Sequence, residues 1–221
     1  MEPFVKHRGR VALLDWSDVN TDLIIPARYL KRVERTGYGA ALFADKRYVP
    51  GGAPAIEDTD KHGDLAPHFP LNASAARGAS ILLAGHNFGC GSSREHAVWA
   101  VAQAGFRAVV APGKDVGFAD IFEGNAYQCG LLPLELPRED WQALADAVRQ
   151  HSGVEATIDL EGLTLTIHAP AGDRSIAIEV PENHRRRLLE GLDAIGETLR
   201  RDAEIAAHES QRSPWLVPAT A

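Results

Sequence analysis

Gly85-His86-Asn87-Phe88-Gly89-Cys90-Gly91-Ser92-Ser93-Arg94-Glu95-His96 is the stretch on which the fold and chemistry of this 221-residue chain turn. The apolar run Ser80-Ile81-Leu82-Leu83-Ala84 leads into it and reads as a strand, and residues 93–104 lead out of it with helical character. The stretch is therefore a strand-to-helix turn rich in glycine, with two hydroxyls and a guanidinium where the helix begins. Backbone N–H groups at a helix start lack intrahelical partners and sit at the positive end of the dipole. A small anion is expected there, and the planar fork of Arg94 suits a carboxylate or a phosphate.

Working outward, the pattern repeats. A strand over 107–111, a helix near 118–126, a strand over 131–134 and a helix over 138–150 alternate as β-α-β units do, which predicts a parallel sheet flanked by helices. Pro137 suits the start of the last helix and Gly153 the position past its end. Residues 154–160, 163–168 and 175–180 alternate apolar and polar, with Glu161-Gly162 between the first two, and predict a small antiparallel sheet or hairpin. Residues 183–209 read as charged helix with a break near Gly191 or Gly196, and Pro214-Trp215-Leu216 as a tail that docks on a groove or on nothing. Upstream, Val11 to Leu14 is the first strand. The basic segment Lys31 to Tyr38 reads as a mobile loop, and residues 48–72, with four prolines and three glycines, as a long irregular connection. The whole predicts one α/β domain over 1–221 with a C-terminal helical extension.

Composition narrows the setting. Hydrophobic residues make up 45% of the chain, enough for a packed core and too many for a disordered one. The formal net charge of -7, without a basic stripe, argues against nucleic acid as a partner. No apolar run nears the roughly 20 residues that cross a bilayer, and Met1-Glu2-Pro3-Phe4-Val5-Lys6-His7-Arg8 lacks the apolar centre of a signal peptide. No membrane association and a cytoplasmic location are expected. The two cysteines, Cys90 and Cys129, form no C-x-x-C pair and are too few for a disulfide scaffold. They are also too few for the three or four thiolates of an iron–sulfur cluster, so no metal is expected on this chain.

Several chemistries compete for the turn. A dinucleotide fingerprint fails because Arg94 replaces the third glycine and Val109-Val110-Ala111 stand where a ribose-binding acid belongs. A Cys90 nucleophile needs a base beside it, and His96 lies far enough along the helix to point elsewhere. No G-x-S-x-G exists for a serine hydrolase. The plain structural alternative is a capping box, Ser92-Ser93-Arg94-Glu95, with Ser92 as N-cap and Glu95 three residues on. It leaves Gly89, Gly91 and Arg94 unexplained. Glycine admits close approach of a ligand, and an arginine in a first helical turn opposes the dipole unless an anion sits beside it.

Asn87-Phe88-Gly89-Cys90-Gly91-Ser92-Ser93-Arg94-Glu95-His96-Ala97 resembles the signature of the swivelling domain of the aconitase superfamily, and within it the small subunits of bacterial isopropylmalate dehydratases. Asn20-Thr21-Asp22-Leu23-Ile24-Ile25-Pro26, Arg35-Thr36-Gly37-Tyr38-Gly39 and Phe118-Ala119-Asp120-Ile121-Phe122-Glu123-Gly124-Asn125 are similar to further motifs of that family, as is His184-Arg185-Arg186-Arg187 more loosely. The resemblance implies an aconitase-like swivelling β/β/α fold. It implies a hydro-lyase reaction that moves water between neighbouring carbons of a substituted malate in leucine biosynthesis. It also implies a large-subunit partner that carries a 4Fe-4S cluster, and a dicarboxylate substrate.

By the same resemblance Ser92 is the base that takes a proton from carbon, with Asp22 near it. Ser93 and Arg94 hold the substrate carboxylate, and Gly91, Thr21, Leu30, Val33 and Arg35 complete the substrate-contacting set. Leu30 and Val33 belong to the segment 29–36, which covers the alkyl branch in the family. A serine hydroxyl is a poor base at neutral pH and needs backbone N–H groups, a helix start and Arg94 to stabilise an alkoxide. Asp22 would oppose that alkoxide, so its better role is to orient Arg94 or a substrate hydroxyl; its structural alternative is a turn or cap before Leu23. Common family members carry Arg-Glu before Asn-Phe-Gly where this chain has Gly85-His86; His86 reads as a neutral surface residue, with a substrate-side donor as the alternative. Residues 111–117 make a longer connection than usual. Either feature fits a sister enzyme for methylmalate or dimethylmalate, and a non-catalytic carboxylate-binding module is the rival of another class.

Overall fold

The first strand, β1 (Lys6–Leu14), joins two different kinds of sheet. The computed structural model describes residues 1–59, 61–113, 116–170 and 172–212. After β1 come α1 (Thr21–Ile24), α2 (Ala44–Arg47), β2 (Ile81–Ala84), α3 (Glu95–Gln103), β3 (Ala108–Pro112), α4 (Asp120–Cys129), β4 (Leu132–Leu136) and α5 (Arg138–Gln150). The chain continues through β5 (Glu155–Asp159), β6 (Thr164–Ala169), β7 (Gly172–Ala177), α6 (Glu182–Glu190), α7 (Ala194–Leu199) and α8 (Asp202–Ser210). The strands form one seven-stranded sheet in the order β4-β3-β2-β1-β5-β6-β7.

Val11–Leu14 of β1 pairs in parallel with β2, and β2, β3 and β4 continue in parallel. Lys6–Arg10 pairs antiparallel with β5, and β6 and β7 follow as meanders. The expected small antiparallel sheet exists, but it extends the parallel one through the outer half of β1. No local sequence signal announces that long-range pairing.

Alternate residues of the parallel strands feed two cores. Ala12, Leu14, Leu82, Ala84, Val109 and Ala111 face one side, with α3 and α4. Val11, Ile81, Leu83, Ala108 and Val110 face the other, with Trp141 and Leu144 of α5 and Leu188 of α6. This double burial explains why these strands are continuously apolar. Each buried Leu, Ile or Val side chain contributes about 1.5–3 kcal/mol. On α3 the buried residues are Ala97, Val98, Ala100 and Val101, a small-residue stripe on one helix face. Trp141 donates its indole N–H to the Ala84 carbonyl at 2.9 Å and so pins β2 at the point where the glycine turn begins.

The helical expectations hold with shifted ends. Gly191 ends α6 in the left-handed conformation, so the break falls there, and Gly196 lies inside α7. The described part of 48–72 is largely irregular, with a bridge between Tyr48 and Leu65 and a short 3-10 turn at Pro70–Asn72. The tail Pro214-Trp215-Leu216 lies outside the described residues, as do Lys114 and Asp115 of the connection 111–117. Among the described residues no helix is long and apolar enough to cross a membrane.

Candidate active site

The glycine turn leaves β2 at the carboxyl ends of the parallel strands, where ligands of open α/β sheets gather. Two neighbouring loops grip it. From the β1 side, Val19 accepts from Gly89 N–H at 2.8 Å, and Thr21 N–H donates to Cys90 at 2.8 Å. From the β3 side, Val116 accepts from Asn87 N–H at 2.8 Å and Gly117 from Phe88 N–H at 2.9 Å. The turn needs its left-handed residues. Asn87 stands at φ +56° and donates its side-chain amide to Asp18 at 2.7 Å. Gly89 stands at φ +82°, and a Cβ there would lie 2.2 Å from Cγ of Phe122.

Ser92 is held through its backbone. The Thr21 hydroxyl donates to the Ser92 carbonyl at 3.0 Å and accepts from the Ser92 N–H at 3.2 Å. Thr21 is 2% exposed with its hydroxyl committed both ways, so it fixes Ser92 and does not present itself to a substrate. The Ser92 side chain is exposed and bonds to no protein atom among the described residues. Gly91 at φ +92° leads into it, and the N–H groups of Gly91 and Ser93 donate to no acceptor among the described residues.

Helix α3 begins at Glu95, with Arg94 at the N-cap and no side-chain cap bond. The capping-box reading of Ser92 is therefore corrected, because the Thr21 hydroxyl takes the Ser92 backbone and the helix starts later. Arg94 is likewise not in the first helical turn. Its guanidinium Nη1 is paired with Asp22 Oδ1. Asp22 is not a cap either; Asn20 caps α1 by accepting from Leu23 N–H at 2.8 Å. Side-chain exposures of 17% for Arg94 and 54% for Asp22 make the pair weak as a stabiliser and useful as an orienting contact.

Ser92 opens on a cleft of about 670 Å³ lined also by His86, Gly89, Gly91, Phe118, Asp120 and Ile121. His86, read from the sequence as a surface residue or else a substrate-side donor, stands in the cleft wall. Phe118, Asp120 and Ile121 belong to a family-like motif, and they place the loop after β3 over the turn. Ser93 is exposed beside Ser92 but does not line this cleft. Leu30, Val33 and Arg35 do not line it either. Leu30 is half-buried, Val33 is 91% exposed, and Arg35 stacks over Trp99 at 5.6 Å. Arg32 of the basic segment is 14% exposed and donates to the Ile56 carbonyl at 2.9 Å.

The other candidates for nucleophile or base recede. His96 packs against Tyr38 and Trp99 at 5.4 and 4.7 Å between centroids, and no contact joins it to Cys90 among the described residues. That burial holds its imidazole below the ordinary range, and the Arg94 charge adds to the effect. Burial, with the Asp18 charge, raises the Cys90 thiol. Burial, with the Glu95 charge, pushes Cys129 up to about 11.

The Thr21 clamp is testable by itself. Thr21→Val leaves the Ser92 N–H and carbonyl without their partner and is expected to cost about 1–3 kcal/mol in denaturant unfolding. Thr21→Ser should retain most of that stability; equal losses in both variants would contradict the clamp.

The Aconitase C-terminal domain family matches residues 1–139. The 3-isopropylmalate dehydratase small subunit of Bacillus licheniformis is 46% identical over 216 residues, covering 98% of this chain and 99% of the relative. The protein of the same name from Methylibium petroleiphilum is 47% identical over 219 residues, covering 98% and 97%. The crystal structure of 3-isopropylmalate dehydratase (leuD) from Methanocaldococcus jannaschii superposes with a TM-score of 0.59 at 26% identity, covering 92% of this chain and 99% of that one.

Proposed function

The chain belongs to the family of 3-isopropylmalate dehydratase small subunits, and on that premise we propose that Ser92 is the general base of a two-chain hydro-lyase. The enzyme interconverts 2-isopropylmalate and 3-isopropylmalate by dehydration and rehydration, in leucine biosynthesis. The observation that carries the base assignment is Ser92 itself: an exposed hydroxyl without a protein partner among the described residues, on a clamped backbone, at the mouth of an open cleft. The chain acts as one swivel-type domain over 1–221 with a helical extension, and it works in the cytoplasm.

The chemistry asked of this chain is a proton transfer. Ser92 Oγ takes the proton from the substrate carbon, and the hydroxyl lost from the neighbouring carbon departs on the partner's side. Returning the proton and the hydroxyl, each to the carbon the other left, gives the isomer. An alkoxide at Ser92 is stabilised by the N–H groups of Gly91 and Ser93, which meet no acceptor among the described residues, by the start of α3 and by Arg94. Ser93 and Arg94 hold a substrate carboxylate. Asp22 turns the Arg94 fork and leaves its remaining donors for the ligand. Leu30, Val33 and Arg35, on the 29–36 segment, select the alkyl branch when the large subunit closes over the cleft.

The donors of this chain do not fit an iron–sulfur cluster. It has two thiols, and burial holds both above their ordinary range. Among the described residues no three His, Cys, Asp or Glu side chains converge as metal ligands. The cluster belongs on the large subunit, and no step assigned to this chain passes through it.

The test is reconstitution. The purified chain should show no isomerase activity and gain it on adding a cluster-bearing large subunit. A panel of isopropyl-, methyl- and dimethyl-substituted malates then reads the substrate. Robust turnover by this chain alone would overturn the proposal.

A further inference from the structure

The two ends of α3 serve different parts of the molecule. Its first end continues from Ser92, Ser93 and Arg94. Its last residue, Gln103, holds the segment 35–38 with both halves of its amide. Gln103 Oε1 accepts from the Tyr38 N–H at 2.9 Å, and Nε2 donates to the Arg35 carbonyl at 2.7 Å. Between these ends the Tyr38 ring rests on His96 and Trp99 at 5.4 and 5.6 Å. The contact is close enough to require glycine at position 39, where a Cβ would lie 2.4 Å from the Gln103 carbonyl oxygen.

The other flank of the segment is held as well. Arg32 donates to the Ile56 carbonyl at 2.9 Å and to the Thr36 carbonyl at 3.2 Å, and Tyr38 donates its hydroxyl to the Arg32 carbonyl at 3.4 Å. Val33, the aliphatic residue among the exposed residues 33–36, stands furthest clear of the fold at 91% exposure. A loop tied down on both flanks with a bare aliphatic tip presents that tip to whatever closes over it.

We propose that Gln103 is a positioning residue for substrate selection. It ties the 35–38 segment to the helix launched from the Ser92 turn, so that Val33 meets the alkyl branch in a fixed place relative to the base. This rests on the reading of Ser92 and of the 29–36 segment given above; Gln103 itself touches neither base nor substrate. Binding energy from the alkyl branch is lost when its contact surface is free to move, and such a loss appears in KM with kcat retained.

The experiment has two arms. In the reconstituted enzyme, Gln103→Leu is expected to raise KM for 2-isopropylmalate about 5–10-fold with kcat within about twofold. The preference for 2-isopropylmalate over 2-methylmalate should shrink. Gln103→Glu, which keeps the acceptor for Tyr38 N–H and loses the donor to Arg35, should fall between. In the isolated chain, amide hydrogen exchange at Tyr38 should accelerate in Gln103→Leu while exchange at Gly89 and Thr21 stays unchanged. Unaltered KM and selectivity, or a fall in melting temperature with no change in KM, overturns the proposal. Unaltered exchange at Tyr38 overturns it independently of turnover. A wild-type complex inert on every malate instead sinks the function proposed for the site, and the exchange arm still decides the latch.

Discussion

Ser92→Ala is expected to abolish turnover of the reconstituted enzyme while leaving the melting temperature within ~1–2 °C of the wild type. Loss of a positioned base typically removes 10²–10⁴ of rate, about 3–5 kcal/mol of barrier. Stability should be spared for a structural reason. The Ser92 hydroxyl bonds to nothing among the described residues, and its backbone, held by Thr21, is unchanged in alanine. An N-cap serine would behave in the opposite way, costing about 0.5–2 kcal/mol of stability and little activity. Parallel steady-state kinetics and calorimetry separate the two. Retained turnover with a lowered melting temperature would restore the capping role that the start of α3 at Glu95 excludes.

Gly89→Ala and Gly124→Ala should move stability in opposite directions. At Gly89, φ is +82° and the new methyl would lie 2.2 Å from the Phe122 ring. That ring is 2% exposed and packs edge-on against Phe88 at 5.2 Å and stacks with Phe118 at 6.2 Å. Overpacking costs about 1–3 kcal/mol and the left-handed backbone about 1 kcal/mol more. The cleft should suffer too, since Phe88 and Phe118 bridge the turn to the loop after β3. Gly124 lies inside α4, its φ is not in the left-handed region, and nothing lies within 4 Å of a Cβ there. Alanine at 124 is expected to add about 0.5–1 kcal/mol, through backbone entropy and helix propensity. Chemical denaturation of both variants measures the contrast. A neutral Gly89→Ala would mean that the turn tolerates a right-handed residue.

Both expectations show where the sequence was legible. The strand-turn-helix around Ser92 was readable because Ile81 to Ala84 are buried on both faces, which forces a continuous apolar run. The meander β5 to β7 was readable from alternation, since only one face of it is covered well. The start of α3 was not. Ser92 to Glu95 satisfies the local capping pattern, and only a tertiary bond from Thr21, distant in the chain, shows why that pattern is not used. The grip of Gln103 on Arg35 and Tyr38 is equally non-local. His86 carries no periodic or charge signal, and its place in the cleft wall beside the left-handed Asn87 is set by the turn. The assignment of Ser92, Arg94 and Asp22 came from the family-like motif, and the fold brings two of them into a pair.

Because β1 spends its first half on β5 and its second on β2, the earliest strand made by the ribosome waits for one of the last before its outer edge closes. The family match ends at residue 139, before β5 begins. A fragment trimmed to that match would keep Ser92, Thr21 and Arg94 and still expose the backbone of Lys6–Arg10 to pairing with other chains. The antiparallel half is thus the guard of an edge, and shortening the protein to its recognisable portion trades a catalytic module for a sticky one.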